Sequence, residues 1–378
     1  MSSKELFIEN YNYSPTSHYF SPGRVNLIGE YTDIASGSVL PLAIQLGIDA
    51  HVATRNDRVI RVFSLGEEQK FVLDDLSKSD CSWLNYIKGV FFVFEKHGIR
   101  LENGLDIAME STLPLASGLS SSACLEVLIA TIINEEAKAN LDKLTIVKYS
   151  KEAENDYIGV ASGIMDQFAV AFGEKDRCIK LDTATLEYSL AKFELGDNDL
   201  VIMNSNKKRT LADSKYNLRV QEVNAGLDDL RKYIDFPYAC AISLDDLYKY
   251  QDKIKNPDSF KRLKHLITDN MRVKKSSELL EKGDIDGFAK LLIEGHRSMQ
   301  YDFEASGKEL DTLVDLALKY GAKGARMTGA GFGGCAIFIS EKSKTQYIRE
   351  NVAKDYENII GLHLDTYIAT PSKGTCKI

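Results

Sequence analysis

The chain has 378 residues, 44% of them apolar and 27% charged, with a formal net charge of −8. That length favours two or three domains, and the mix is ordinary for a soluble globular protein. The negative balance, with no strong basic block against it, argues against nucleic-acid binding, and no apolar run approaches the ~20 residues that span a bilayer.

Met1–Tyr11 carries Glu5 and Glu9 against Lys4 and lacks an apolar centre, so it does not read as a signal peptide. Six cysteines (81, 124, 178, 240, 335, 376) follow no metal-ligand or disulfide spacing, which points to the reducing cytoplasm. The stretch from Ser21 to Asp33 sets Arg24, Glu30 and Asp33 within ten positions on a Gly-punctuated segment. Carboxylates accept hydrogen bonds from sugar-type hydroxyls and an arginine stabilises a nearby anion. A surface loop with ordinary ion pairs fits that spacing equally well.

Residues 45–75 have the β-branched, roughly alternating character of short strands, clearest at Ile48–Thr54 and Val59–Phe63. Residues 83–97 read as a helix. Leu105–Glu110 alternates like a half-buried strand, and the apolar run beginning at Cys124 reads as a helix over 123–139. Between them lies Leu113-Pro114-Leu115-Ala116-Ser117-Gly118-Leu119-Ser120-Ser121-Ser122-Ala123. A small-residue loop between strand and helix lets backbone N–H groups approach an anion, and the helix N-terminus adds roughly half a positive charge. The hydroxyls of Ser120, Ser121 and Ser122 are suited to phosphate oxygens or a metal ion. The loop lacks the lysine of a G-x-x-x-x-G-K-[ST] motif.

A helix is expected over 144–158, with Val147, Glu154 and Ile158 sharing a stripe. A shorter one follows Gly163, where Met165, Phe168, Ala169 and Phe172 keep helical spacing. Asp166 is polar inside that apolar pattern and near a helix start, where the dipole favours its ionised form. Taken alone, a capping role is its plainer reading. Beyond about residue 195, charged helices are expected over 213–233, 260–282, 284–301 and 307–320, then a strand over Cys335–Ser340 and a last strand near Leu362–Ala369. The pattern suggests two α/β domains with a boundary near 180–200. Met327–Gly334 contains G-x-G-x-x-G, but with a helix expected before it and a strand after, the order opposes a dinucleotide-binding fingerprint, and a dehydrogenase is rejected.

Taken together and in this order, these stretches resemble the galactokinases of the galacto-/homoserine/mevalonate/phosphomevalonate kinase superfamily. The sugar signature is similar to Gly23–Asp33, the phosphate loop to Pro114–Ala123 and the third motif to Met327–Gly334. Gly163–Phe168, Asn204–Asn206 through Ser214–Tyr216, and His296–Met299 are similar to galactokinases specifically. The resemblance runs from about residue 19 to 370.

It implies an α+β, two-domain sugar-kinase fold of the galacto-/homoserine/mevalonate kinase type. A ribosomal-S5-like N-terminal domain (1–195) would carry the signature, the phosphate loop and Asp166. A ferredoxin-like C-terminal domain (196–378) would carry the Gly-rich third motif. The implied activity is ATP-dependent phosphorylation of the anomeric hydroxyl of a galacto-configured sugar, galactose to galactose 1-phosphate. By the same resemblance Asp166 is the catalytic carboxylate and Arg24 sits beside it. Ser122 and Glu154 bind Mg²⁺, and the backbone of Ala116, Ser117, Gly118, Leu119, Ser120, Ser121 and Ser122 holds the nucleotide phosphates. Glu30, Tyr31, Asp33, Gly163 and Tyr216 bind the sugar, and Trp83 and Tyr86 line the adenine pocket. ATP and Mg²⁺ are the implied cofactors, and the chain is expected to be a cytoplasmic monomer or weak dimer without nucleic-acid or membrane partners.

The chain departs from the family pattern in several places. Tyr31 replaces a usual His, Ile34-Ala35-Ser36-Gly37 replaces Tyr-Asn-x-Gly, and Ala116 replaces Gly. Ala161 replaces Pro, and Gly307-Lys308 replaces Cys-Pro. A phenol is larger than an imidazole and cannot carry positive charge, so Tyr31 bears on which sugar is accepted. N-acetylgalactosamine or a uronic acid are alternatives to galactose, and a non-catalytic sugar- and ATP-sensing regulator is an alternative to an enzyme. The presence of Ser120–Ala123, Arg24 and Asp166 together favours the enzyme.

Overall fold

The computed structural model describes residues 1–114, 118–160, 162–207 and 212–378, with the backbone alone at 212–214. A six-stranded sheet runs, edge to edge, Cys376–Lys377, Ser17–Asn26, Pro41–Thr54, Leu105–Ser111, Val59–Ser64 and Glu67–Val72. Its pairings are antiparallel except for the parallel contact of Val59–Ser64 with Leu105–Ser111. The ladder between Ser17–Asn26 and Pro41–Thr54 shifts register between Pro22 and Gly23, so the strand is re-aimed immediately before Arg24.

Helices Ser82–Lys96 and Ser121–Glu136 pack on each other, and the second also lies on the Ser17–Asn26 strand. Nearly every residue from Ala123 to Asn134 is buried, because this helix is enclosed rather than laid on a surface. Burying each of its Val, Leu and Ile side chains contributes ~1.5–3 kcal/mol. The helix Ser3–Tyr11, absent from the expectations above, starts in a capping box between Ser2 and Glu5 and packs Phe7 and Tyr11 on Ala53 and Ala108.

A smaller sheet joins Ser38–Val39, Arg177–Asp182 and Tyr188–Lys192. The third sheet is antiparallel, in the order Gly324–Thr328, Cys335–Glu341, Asn198–Asn204, Asp365–Ala369. Its strands alternate with helices as strand, helices, two strands, helix Lys342–Ile360, strand, the ferredoxin-like arrangement that the resemblance implies. A second apolar core lies here, built from Leu263, Leu266, Leu313, Phe338 and Tyr356 among others.

Four expectations need correction. The helix expected over 144–158 is α-helical only over Lys143–Glu152 and ends in a π-helical turn, Ala153–Ile158; likewise Ile285–Ser298 passes into a π-turn at Met299–Phe303. A one-residue widening of the spiral leaves little trace in apolar spacing. The Gly-rich motif is not preceded directly by a helix: the five-residue strand Gly324–Thr328 intervenes, buried throughout and so without alternation, and residues 329–334 turn a hairpin into Cys335–Glu341. A fingerprint would open a helix there, so the dehydrogenase stays excluded. Leu105–Met109 is not half-exposed but wholly buried; Asp106 is tolerated inside because Arg55, Arg61 and Tyr13 all donate to it.

Candidate active site

The bulged strand delivers Arg24 to the N-terminal ends of two helices. Its Nε and Nη2 donate to the two Asp166 carboxylate oxygens at 2.8 and 2.7 Å, a fork-to-fork pair, and its Nη1 donates to the Gly118 carbonyl at 2.8 Å. The Arg24 side chain is only 5% exposed, whereas that of Asp166 remains 32% exposed. Arginine therefore supplies the buried positive wall, and the carboxylate stays open to a ligand.

Asp166 lies in the first turn of Met165–Phe172, where the helix end favours negative charge. Ser120 occupies the N-cap of Ser121–Glu136 in a left-handed conformation (φ 63°) and does not cap the helix with its side chain; its hydroxyl donates to Asp166 instead. The first N–H groups of that helix thus have no side-chain cap, the condition under which a helix N-terminus holds phosphate. Leu119 is buried in the core, Ser121 is the first helical residue, and Ala116 and Ser117 lie outside the described residues.

On the far side of Ser122, the π-turn carries Glu154 inward, with Ser122 Oγ 3.5 Å from Glu154 Oε1. The other Glu154 oxygen accepts from the Ser162 hydroxyl and, at 2.9 Å, from Gln167 Nε2. Lys151 donates to Ser162 and stands 4.0 Å from Glu154. A hydroxyl and a carboxylate are hard oxygen donors of the type Mg²⁺ takes while keeping several waters. Two acceptor atoms nearby, Glu126 Oε1 and Gln167 Oε1, are buried without a hydrogen-bond partner, so this corner is more negative than its own donors satisfy. The residues present fit a small divalent cation.

The third wall is built from Asp33, Gly163, Tyr216 and Tyr31. A Cβ at position 163 would overlap the Asp33 carboxylate, so glycine is what lets that backbone lie against it. Burial, reinforced by the neighbouring Asp166 charge, raises the Asp33 carboxyl to about 6. Burial, reinforced by the same carboxylates, raises the Tyr216 phenol. Tyr31 is buried at φ 64°, with its ring 4.4 Å from Phe303 and 5.2 Å from Tyr216 and its hydroxyl donating to the Ala330 carbonyl at 2.6 Å. Its polar end is therefore directed at the Gly-rich motif.

Glu30 is set deeper than its neighbours. At 1% exposure it is ion-paired with Arg326, which also faces Asp269 at 3.6 Å, and it accepts from Gly329 N at 3.4 Å. Burial lifts its carboxyl to about 7 against the pull of Arg326. The Thr328 hydroxyl exchanges 2.9 Å bonds with the backbone of Asn26, tying the third motif to the strand that carries Arg24. Gly329, at φ 83°, brings that turn against Gly118, leaving only ordinary contact distance for a Cβ. Trp83 and Tyr86 sit half-buried on Ser82–Lys96, and the Trp83 indole donates to Glu67 at 3.1 Å.

Sequence reasoning missed Arg326, Asp269, Lys151, Ser162, Gln167 and Glu126. Arg326 and Ser162 each stand one residue outside a stretch that had been singled out. Gln167 lies inside one, and Glu126 interrupts an apolar helix much as Asp166 does.

Fold and site together define a small-molecule kinase of the GHMP class. Family models agree: the GHMP kinases N terminal domain matches residues 85–174, GHMP kinases C terminal matches 276–358, and the galactokinase galactose-binding signature matches 5–54. Galactokinase of Clostridium perfringens is 43% identical over 381 residues, covering 99% of this chain and 98% of the relative. That of Streptococcus thermophilus is 41% identical, covering 98% and 97%. The crystal structure of Lactococcus lactis galactokinase complexed with galactose matches with a TM-score of 0.95 at 37% identity, covering 99% of this chain and 98% of that one. A mevalonate kinase structure, 18% identical with a TM-score of 0.65, shares the fold. The chain belongs to the galactokinase family.

Proposed function

We propose that the protein transfers the γ-phosphoryl group of ATP to the anomeric hydroxyl of galactose. The observation that carries this reading is the open Asp166 carboxylate, forked by Arg24, facing the uncapped N-terminus of Ser121–Glu136. Phosphoryl transfer passes through a loose transition state, so positioning and electrostatics outweigh covalent chemistry. Asp166 accepts or orients the hydroxyl proton, a contribution of ~10²–10⁴-fold. Arg24 holds Asp166 in one orientation and offers its positive charge to the moving phosphoryl group. The backbone of 116–122 binds the nucleotide phosphates, and Trp83 and Tyr86 border its base. Asp33, Gly163 and Tyr216 receive the sugar, while Glu30 and Tyr31 shape that pocket from behind. When bound by Ser122 and Glu154, Mg²⁺ would neutralise charge between the β- and γ-phosphates.

The six cysteines are all free, in keeping with a cytoplasmic enzyme, and no helix among the described residues is long and apolar enough to cross a membrane. We take the working form to be a monomer or weak dimer. Tyr31 favours one further reading of substrate range, a galacto-configured sugar with an altered substituent such as N-acetylgalactosamine or a uronic acid, because the pocket wall carries a phenol instead of an imidazole.

An ADP-release assay against hexoses, hexosamines and uronic acids tests both readings. Turnover of galactose well above the rest is expected; activity on a modified sugar alone transfers the assignment to that sugar, and no ADP release with any of them overturns the kinase.

A further inference from the structure

Glu126 is fully buried on Ser121–Glu136, one turn beyond Ser122, and has no role in the reaction described above. Its Oε2 accepts from Gln167 Nε2 at 3.0 Å, and the same nitrogen donates to Glu154 Oε2 at 2.9 Å. One amide nitrogen therefore lies between two carboxyl groups, using both of its hydrogens. The reverse orientation of the amide would set its oxygen against two acceptors, so the flanking carboxyls fix which way Gln167 faces. Gln167 is itself fully buried and is the residue next to Asp166.

We propose that Glu126 is a positioning residue for the divalent-cation site, holding the Gln167 amide and, through it, the Glu154 carboxylate in line with Ser122. The proposal rests on the reading of Ser122 and Glu154 as the cation's protein ligands. Without Glu126 the amide keeps its bond to Glu154 but loses its second anchor, so of the two supports of the Glu154 oxygen opposite Ser122 only Ser162 stays fixed. Outer supports of this kind set metal affinity by 10–100-fold in general. Burial and the Glu154 charge both push the Glu126 carboxyl well above the ordinary range. What the geometry asks of Glu126 is an acceptor for the Gln167 amide and a side chain of that shape, which the amide isostere also supplies.

Mn²⁺ replaces Mg²⁺ as a probe, and its binding to the nucleotide-loaded protein is read by electron paramagnetic resonance titration, independently of turnover. Glu126→Leu and, as a second route to the same lesion, Gln167→Met are expected to weaken Mn²⁺ binding about tenfold. Glu126→Gln, the neutral isostere, is expected to stay within about threefold of the parent. Circular dichroism and Tm identify the variants that remain folded. The proposal is overturned if folded Gln167→Met or Glu126→Leu binds Mn²⁺ like the parent, or if Glu126→Gln is as impaired as Glu126→Leu. Glu154→Gln separates the two ideas: if it weakens Mn²⁺ binding while the other variants do not, only the positioning role falls; if it leaves Mn²⁺ binding unchanged, the cation ligands themselves were misassigned and both fall.

Discussion

Asp166 and Asp33 are neighbouring carboxyls held in different electrostatic settings. Arg24 donates twice to Asp166, whereas Asp33 accepts from the Ile34 backbone N–H and feels the Asp166 charge. Replacing Asp166 by Ala should lower kcat ~10²–10⁴-fold while leaving sugar affinity within about tenfold, read by steady-state kinetics and calorimetry. Asp33 should give kcat/KM an acid limb. With its carboxyl raised to about 6, the acceptor form is lost as pH falls through that value, and sugar capture falls with it. The sign for stability is opposite: the folded protein holds this proton more tightly than the unfolded chain, so the stabilisation is present at low pH and lost as pH rises through about 6. A pH profile of kcat/KM, compared with Asp33→Asn, checks it. The variant should lose the limb near pH 6 and show a raised KM throughout.

At the scale of elements, the site is made by irregularities within and between regular segments. The bulge at Pro22–Gly23 aims Arg24, the left-handed Ser120 starts a helix without capping it, and the π-turn at 153–158 brings Glu154 inward. Gly163 makes the closest approach, its backbone lying against the Asp33 carboxylate. Gly163→Ala should displace the Asp33 carboxylate and raise KM for the sugar at least about tenfold, with kcat and Tm changing less, as Michaelis–Menten kinetics and thermal unfolding would report.

This is also the scale at which sequence and structure part. Ser82–Lys96 was legible because its apolar spacing is strong, and Ser121–Glu136 because its apolar run is too long for a strand; Gly324–Thr328 was not, because a fully buried strand of five residues has no alternation. Asp166, Arg24 and Ser122 were found through motifs. Glu126, Gln167 and Arg326 were not, since their importance comes from partners far along the chain: Arg326 meets Glu30 across 296 positions. Periodicity also could not tell that Glu30 faces Arg326, or that the Tyr31 hydroxyl turns toward Ala330.

For the whole molecule, we propose the division into units over 1–195 and 196–378, with the strand Cys376–Lys377 returning to the first sheet and the Glu30–Arg326–Asp269 network as a buried tie between them. Arg326→Met would leave two carboxylates buried without their common cation, a lesion of ~3–5 kcal/mol. Thermal and urea unfolding should register it as a marked loss of stability, and Glu30→Gln in the same protein should recover part of that loss.

The strand Cys376–Lys377 borders Ser17–Asn26, the neighbouring Thr375 shares a 2.8 Å hydroxyl contact with Ser21, and the Thr375 backbone N–H donates to Val170, on the helix that begins beside Asp166. Residues from the far end of the numbering thus brace both partners of the Arg24–Asp166 fork. During synthesis the edge of Ser17–Asn26 stays bare until ribosomes have passed residue 377, so a nascent chain already holding Arg24 and Asp166 still lacks the brace that sets the fork. Competence in this enzyme should arrive late and all at once, and the uncovered edge is where a stalled or shortened product would find another strand to pair with.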